Sequence, residues 1–184
     1  MSVASVPKAA FNVADARKEA HAFRGSVLNS YSRLEMAVTS LLESARLFPD
    51  YAAIARKPPH LLSQKLDLLE KLAATEGAWK AKLALIVPHL HEIRPYDEVR
   101  NLLSHGVLKV AHSEDDEVLY LFEMLRPSPA GLQRIPFHFT DAQAEQFRKQ
   151  INLLVNRVAQ SLGYIGQKPI AQITPFPMPA VVKG

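Results

Sequence analysis

At 184 residues the chain is long enough for one domain with a real core and too short for two comfortable ones. Hydrophobic residues at 48% and charged residues at 22% place it among globular rather than disordered sequences, and the absence of cysteine excludes a disulfide framework, thiol catalysis and Cys-based zinc binding. A net charge of +4 permits an anionic partner without establishing one.

Residues 1–12 lack hydrophobic periodicity and are expected to form a loose N-terminal arm. From there to Phe48 the apolar side chains of Phe23, Val27, Tyr31, Leu34, Val38, Leu41, Ala45 and Phe48 step by threes and fours, which predicts a long amphipathic helix stopped by Pro49. Pro58-Pro59 punctuates the connection to a second helix carried by Leu62, Leu66, Leu69 and Leu72, with a stop around Thr75-Glu76-Gly77. Trp79, Leu83, Ile86, Leu90 and Ile93 predict a third helix, kinked or restarted at Pro88 and Pro95, whose last portion is Tyr96 to His105.

The period changes after Gly106. Val107–His112 and Val118–Leu125 are rich in β-branched and aromatic residues and flank the acidic turn from Ser113 to Glu117. With the alternating run Ile135, Phe137 and Phe139, they predict a small antiparallel β-meander between about 107 and 139, with Pro136 marking an edge strand. Thr140 and Gln143 have capping-box spacing, and Phe147, Ile151, Leu154, Val158 and Leu162 stripe a fourth helix that Gly163 is expected to stop. The tail over 164–184, with Pro169, Pro175, Pro177 and Pro179, is expected to be extended. The predicted fold is mainly α: four helices in an up-down bundle, with the meander between the third and fourth. No apolar run reaches the ~20 residues of a bilayer span and no secretory signal stands at Lys8, so a cytoplasmic location without membrane partners is expected.

The chemistry concentrates at Arg100-Asn101-Leu102-Leu103-Ser104-His105-Gly106. Asn101 and His105, four apart, share a helix face, and Arg100 is long enough to reach around to it. Gly106 is the residue that most readily takes the left-handed geometry ending a helix. A guanidinium, an amide and an imidazole at one helix end suit the handling of a phosphate. The competing account is structural: Arg100 paired with Glu98, Glu35 or a helix end, and His105 capping the last carbonyls. Other candidates are weaker. His89, His91 and Glu92 suggest a metal, but residues two apart point to different sides of a helix, so a solvated face is expected there, with no metal and no cofactor. Lys8, Lys18, Arg24, Arg33, Arg46, Arg56 and Lys57 are scattered surface charge, some of it able to border an RNA cleft.

The Arg100–His105 motif, late in the third of four helices, resembles the HEPN superfamily, whose pattern is an Arg, often followed by Asn, Asp or His, and then a His after four to six residues. The resemblance covers about Ala14 to Leu162 and implies a four-helix bundle. It departs from one branch of the family, toxins partnered with a nucleotidyltransferase, in carrying Val107 where that branch has a Tyr.

Many members of this family are metal-independent endoribonucleases. The resemblance therefore implies attack of a 2′-hydroxyl on the adjacent phosphate, leaving a 2′,3′-cyclic phosphate. In that reaction His105 acts as base or acid, Arg100 holds the phosphate oxygens, and Asn101 orients His105 or binds substrate. A homodimer with a composite site, RNA as substrate, no DNA cleavage, and a toxin or phage-defence role restrained by an antitoxin or regulatory partner complete the expectation. The alternative is a non-catalytic HEPN-like module binding RNA, nucleotide or protein.

Overall fold

A computed structural model describes residues 12–166 apart from positions 114 and 116. The expected arm over 1–11, most of the tail (167–184) and part of the acidic turn lie outside the described residues. The described chain is mostly helical with one small antiparallel sheet.

Helix α1, Val13–Ala45, opens on Asn12, whose side chain accepts from the Ala14 and Asp15 amides. Such a cap is worth about 1 kcal/mol. The predicted stripe is its buried face, with Phe23, Val27, Tyr31, Leu34, Val38 and Leu41 all in the core. The helix ends at Ala45 and Pro49 starts a separate single turn, α2 (Pro49–Ala52), because a proline is accommodated in a first turn. The buried Tyr51 of α2 stacks on Trp79 at a centroid distance of 5.2 Å and its hydroxyl accepts from the Trp79 amide at 2.8 Å.

Helix α3 runs Leu62–Ala74. The expected third helix is four pieces: α4 (Lys80–Ala84), α5 (Val87–Ile93), a 3-10 turn (Arg94–Tyr96) and α6 (Asp97–His105). Pro88 lies in the first turn of α5 and Pro95 in the 3-10 turn, since neither can donate to a continuing helix. Strands β1 (Val107–His112), β2 (Val118–Ser128) and β3 (Gly131–Thr140) pair in chain order, with Leu108 opposite Phe122 and Tyr120 opposite Phe139. The β2–β3 pairing continues to Ser128 and Gly131, well past the expected ends, and Pro136 does sit on an edge strand.

Thr140 and Gln143 form the reciprocal capping box at the head of α7 (Asp141–Gly166): the Gln143 amide donates to Thr140 Oγ1 at 3.2 Å, and the Thr140 amide to Gln143 Oε1 at 3.0 Å. Gly163 does not stop this helix; it is exposed inside it, where a glycine costs only about 1 kcal/mol.

The helices do not simply alternate in direction. Phe23 faces Phe147, the Ser30 hydroxyl donates to Asn152 Oδ1, and Arg33 Nη2 donates to Asn156 Oδ1 at 2.8 Å, so α7 advances in the same direction as α1. In a strict up-down bundle the first and fourth helices are antiparallel. Here α6 comes back along α1, with Arg24 meeting Ser104, and the sheet then returns the chain beside Phe23, whose ring lies 5.0 Å from Phe139. From that point α7 can cover the bare side of α1 only by running with it. Phe23, Tyr120, Phe122, Phe139 and Phe147 make the aromatic joint between sheet and helices.

Candidate functional site

Helix α6 is anchored by Leu102 and Leu103, both in the core, and it presents its polar side chains along the remaining faces. Asp97 and Glu98 occupy the first turn, where the positive end of the helix favours them. Glu98 is held by Arg126 of β2 at 2.8 Å.

The helix stops in an unexpected way. Gly106 is extended, with φ −71° and ψ 145°, and not left-handed. Its amide donates to the Leu102 carbonyl at 2.6 Å, and a Cβ at this position would collide with that same oxygen. Close approach, rather than a positive φ, is therefore what the glycine provides. Arg24 of α1 satisfies a second orphan carbonyl, donating from Nη2 to Ser104 at 2.9 Å.

Those two contacts take over the capping role considered for His105. Its side chain is exposed, and among the described residues no hydrogen bond or ion pair engages it. Arg100 is half-buried, and Nη1 donates to Asn101 Oδ1 at 3.0 Å. The two carboxylates considered as partners for Arg100 are engaged elsewhere. Glu98 is paired as above, and Glu35 pairs with the buried Lys65 at 2.8 Å.

Arg100 and Asn101 share a cleft of about 200 Å³ with Asp97 and with Leu61, Leu62 and Ser63 at the head of α3. Burial pushes the Asp97 carboxyl above its usual range, outweighing the opposing charges of Arg100 and Arg94. Tyr31 of α1 lies within reach of the same charges. Burial, then the charge of Asp97, push its phenol far above its usual range, against Arg100.

Of the three residues expected to act together, the structure brings Arg100 and Asn101 into contact and leaves His105 outside the cleft. Five residues of helix turn His105 roughly 140° from Arg100 about the axis. Sequence reasoning did not single out Asp97, Ser63, Tyr31 or Arg24 as part of this region. Asp97 was findable, because residues three and four before Arg100 and Asn101 share their face. Ser63 and Arg24 come from other helices, and no local pattern announces them. In the other histidine cluster, His89 lies 3.6 Å from Glu92 and His91 lies 3.4 Å from Glu70, and no group of metal-ligating side chains is found among the described residues.

Comparison with protein-family models, with curated proteins and with solved structures finds no match. Among the described residues no helix is long and apolar enough to cross a membrane.

Proposed function

We propose that the chain is a HEPN-like, metal-independent endoribonuclease whose helical legs are α1, α3, the α4–α6 run and α7, with the sheet as an insertion. The observation that carries this reading is the availability of the motif. Arg100 has no carboxylate at ion-pair distance among the described residues, and the end of α6 is capped by Arg24 and Gly106, so His105 is not spent on structure.

In the reaction, a base takes the proton of the 2′-hydroxyl as its oxygen attacks the adjacent phosphorus. The 5′-oxygen leaves with a proton from an acid, giving a 2′,3′-cyclic phosphate and a 5′-hydroxyl. Imidazole suits either role because it titrates near neutrality. The forked guanidinium of Arg100 places two donors on the non-bridging oxygens, where charge accumulates. One His105 does not serve both proton transfers at once, so a homodimer supplies the second from the other copy. DNA, lacking the 2′-hydroxyl, is not cut. The biological role that accompanies this activity is a cytoplasmic toxin or defence effector held in check by an antitoxin or regulatory partner.

The test is RNA cleavage by the purified protein in excess chelator, beside folded Arg100→Ala and His105→Ala variants. Cyclic-phosphate ends from the wild type, lost in both variants, are expected. Diverse RNAs left intact by a folded dimer would overturn the nuclease reading. A second reading, a binding module without catalysis, is favoured by one observation: His105 does not line the cleft that holds Arg100 and Asn101. It predicts RNA or nucleotide binding by the wild type that His105→Ala leaves intact, with no product.

A further inference from the structure

The face of the sheet that packs on α1 runs on past its cover. The cross-strand partners Tyr120–Phe139, Phe122–Phe137 and Met124–Ile135 alternate along β2 and β3 and so share that face. Tyr120, Phe122 and Phe139 are in the core against Phe23, but Phe137 is 39% exposed and Met124 and Ile135 are only half-buried. Apolar side chains that continue a core-facing stripe into solvent mark a surface built to receive another segment.

The uncovered part is a groove. Two hollows of about 300 and 340 Å³ meet at Phe137, one between β3 and the first turns of α7, the other between β2, β3 and the Val99–Leu102 side of α6. Along it stands a row of rings, Phe137, Phe139, Phe147 and Tyr96, with successive centroids 5.0, 5.4 and 5.5 Å apart. Hydrogen-bond donors flank the row. Tyr96 Oη accepts from Gln150 Nε2 at 2.7 Å, so the phenol's own hydrogen remains to be given. Gln143 accepts the Thr140 amide through Oε1, and Gln146 has no hydrogen-bond partner among the described residues, which leaves both side-chain NH2 groups able to donate.

A row of rings edged with donors suits a proline-rich strand. Proline lacks an amide N–H, stacks its ring on aromatic faces, and in the polyproline II form displays carbonyls that no internal hydrogen bond consumes. The chain carries such a strand itself, Pro175-Phe176-Pro177-Met178-Pro179. Its position in the sequence fits the distance. Gly166, the last described residue of α7, lies about 28 Å beyond Phe147 at about 1.5 Å per helical residue. A polyproline II strand rises about 3.1 Å per residue, so about nine residues past Gly166 return the chain to the level of Phe147, at Pro175.

We propose that residues 175–179 dock in this groove of their own molecule, running back along α7. Pro175 meets Phe147 and Tyr96, Pro177 and Pro179 continue over Phe137 toward Val99 and Met124, and the strand's carbonyls accept from Tyr96, Gln143 and Gln146. The assignment is independent of the nuclease reading. It would also brace α6, the helix that carries Arg100 and His105, through Val99 and Leu102.

Because the chain has no cysteine, Ala180→Cys gives the full-length protein a single attachment point for a nitroxide. The methyl resonances of Val99, Met124 and Ile135 are expected to lose most of their intensity with the label oxidised and to regain it when the label is reduced. Replacing Pro175, Pro177 and Pro179 by Ser in the same labelled chain should restore that intensity several-fold, and so should Phe137→Gln on the groove side. Full intensity in the labelled wild type overturns the docking and leaves the groove open to another protein. Equal loss with and without the three prolines overturns recognition of the strand, and loss untouched by Phe137→Gln overturns its placement.

A mixture of isotope-labelled chain and nitroxide-bearing chain without isotope is expected to show no loss. Loss there assigns the groove to the tail of a second copy and overturns docking within one molecule. A synthetic peptide of residues 167–184 is expected to bind the triple Ser variant at least about ten-fold more tightly than wild type, whose own strand competes at a millimolar effective concentration. Equal affinity for the two would overturn the proposal.

Discussion

The two ends of α6 are built on opposite principles. At the Arg100 end, two other helices close in: Tyr31 of α1 lies within electrostatic reach, the first turn of α3 lines the same cleft, and burial shifts the Asp97 carboxyl. At the His105 end the side chain is in solvent, and the work of finishing the helix is done by Arg24 and Gly106. An enclosed guanidinium is suited to gripping a charged group in a low dielectric, where each contact is strong. An exposed imidazole is suited to exchanging protons and to meeting a second copy of itself.

The sharpest way to break that contrast is kinetic. His105→Ala is expected to reduce the cleavage rate by about 10²–10⁴ while leaving RNA affinity within two-fold, roughly the value of a positioned acid or base. Arg100→Ala is expected to lower rate and affinity together. Both are read from single-turnover cleavage and from binding of non-cleavable RNA. If the two substitutions give the same pattern, the ends of α6 are not functionally distinct.

A smaller effect should come from Arg24→Ala. It removes a charged donor from the Ser104 carbonyl and is expected to cost about 1–2 kcal/mol in denaturant unfolding, with activity falling because the last turn carrying His105 frays. Arg24→Lys should restore stability in part. An activity loss without a stability loss would mean that Arg24 meets the substrate instead.

The smallest effect concerns pH. Because the folded Asp97 has a raised pKa, its protonated form favours folding: the associated stability is fully present below the unfolded value, near 4, and is lost as pH rises through the folded value. Asp97→Asn is therefore expected to raise the melting temperature at pH 7 by a degree or two. The gain over wild type should disappear as pH falls toward 4. A gain independent of pH would assign the effect to something other than the carboxyl.

What was legible in the sequence follows the range of the interactions. The α1 stripe, the stripe of α3 and the Thr140–Gln143 box depend on side chains three or four residues apart, and they appear where periodicity places them. Strand β1 has its expected bounds. The adjacency of Arg100 and Asn101 was equally local. The directions of the helices were not legible. They depend on Phe23 meeting Phe139 and on Ser30 meeting Asn152, pairs more than a hundred residues apart. Gly106 shows a subtler limit: its position at a helix end was readable, but whether it is required for a positive φ or for a close approach depends on where β1 leaves α6. The cleft wall from α3 was hidden for the same reason, since no spacing links Ser63 to Arg100.

The parallel clasp of α1 and α7 has a consequence for how the protein is made. A ribosome adds roughly 5–20 residues per second, so about 6–24 s separate the synthesis of Ser30 from that of Asn152. Throughout that interval the flank of α1 that α7 will cover has no permanent neighbour, although α6 has already been produced. The nascent chain thus carries its polar motif before it owns a finished scaffold, and the last of the described helices to emerge is the one that locks the first.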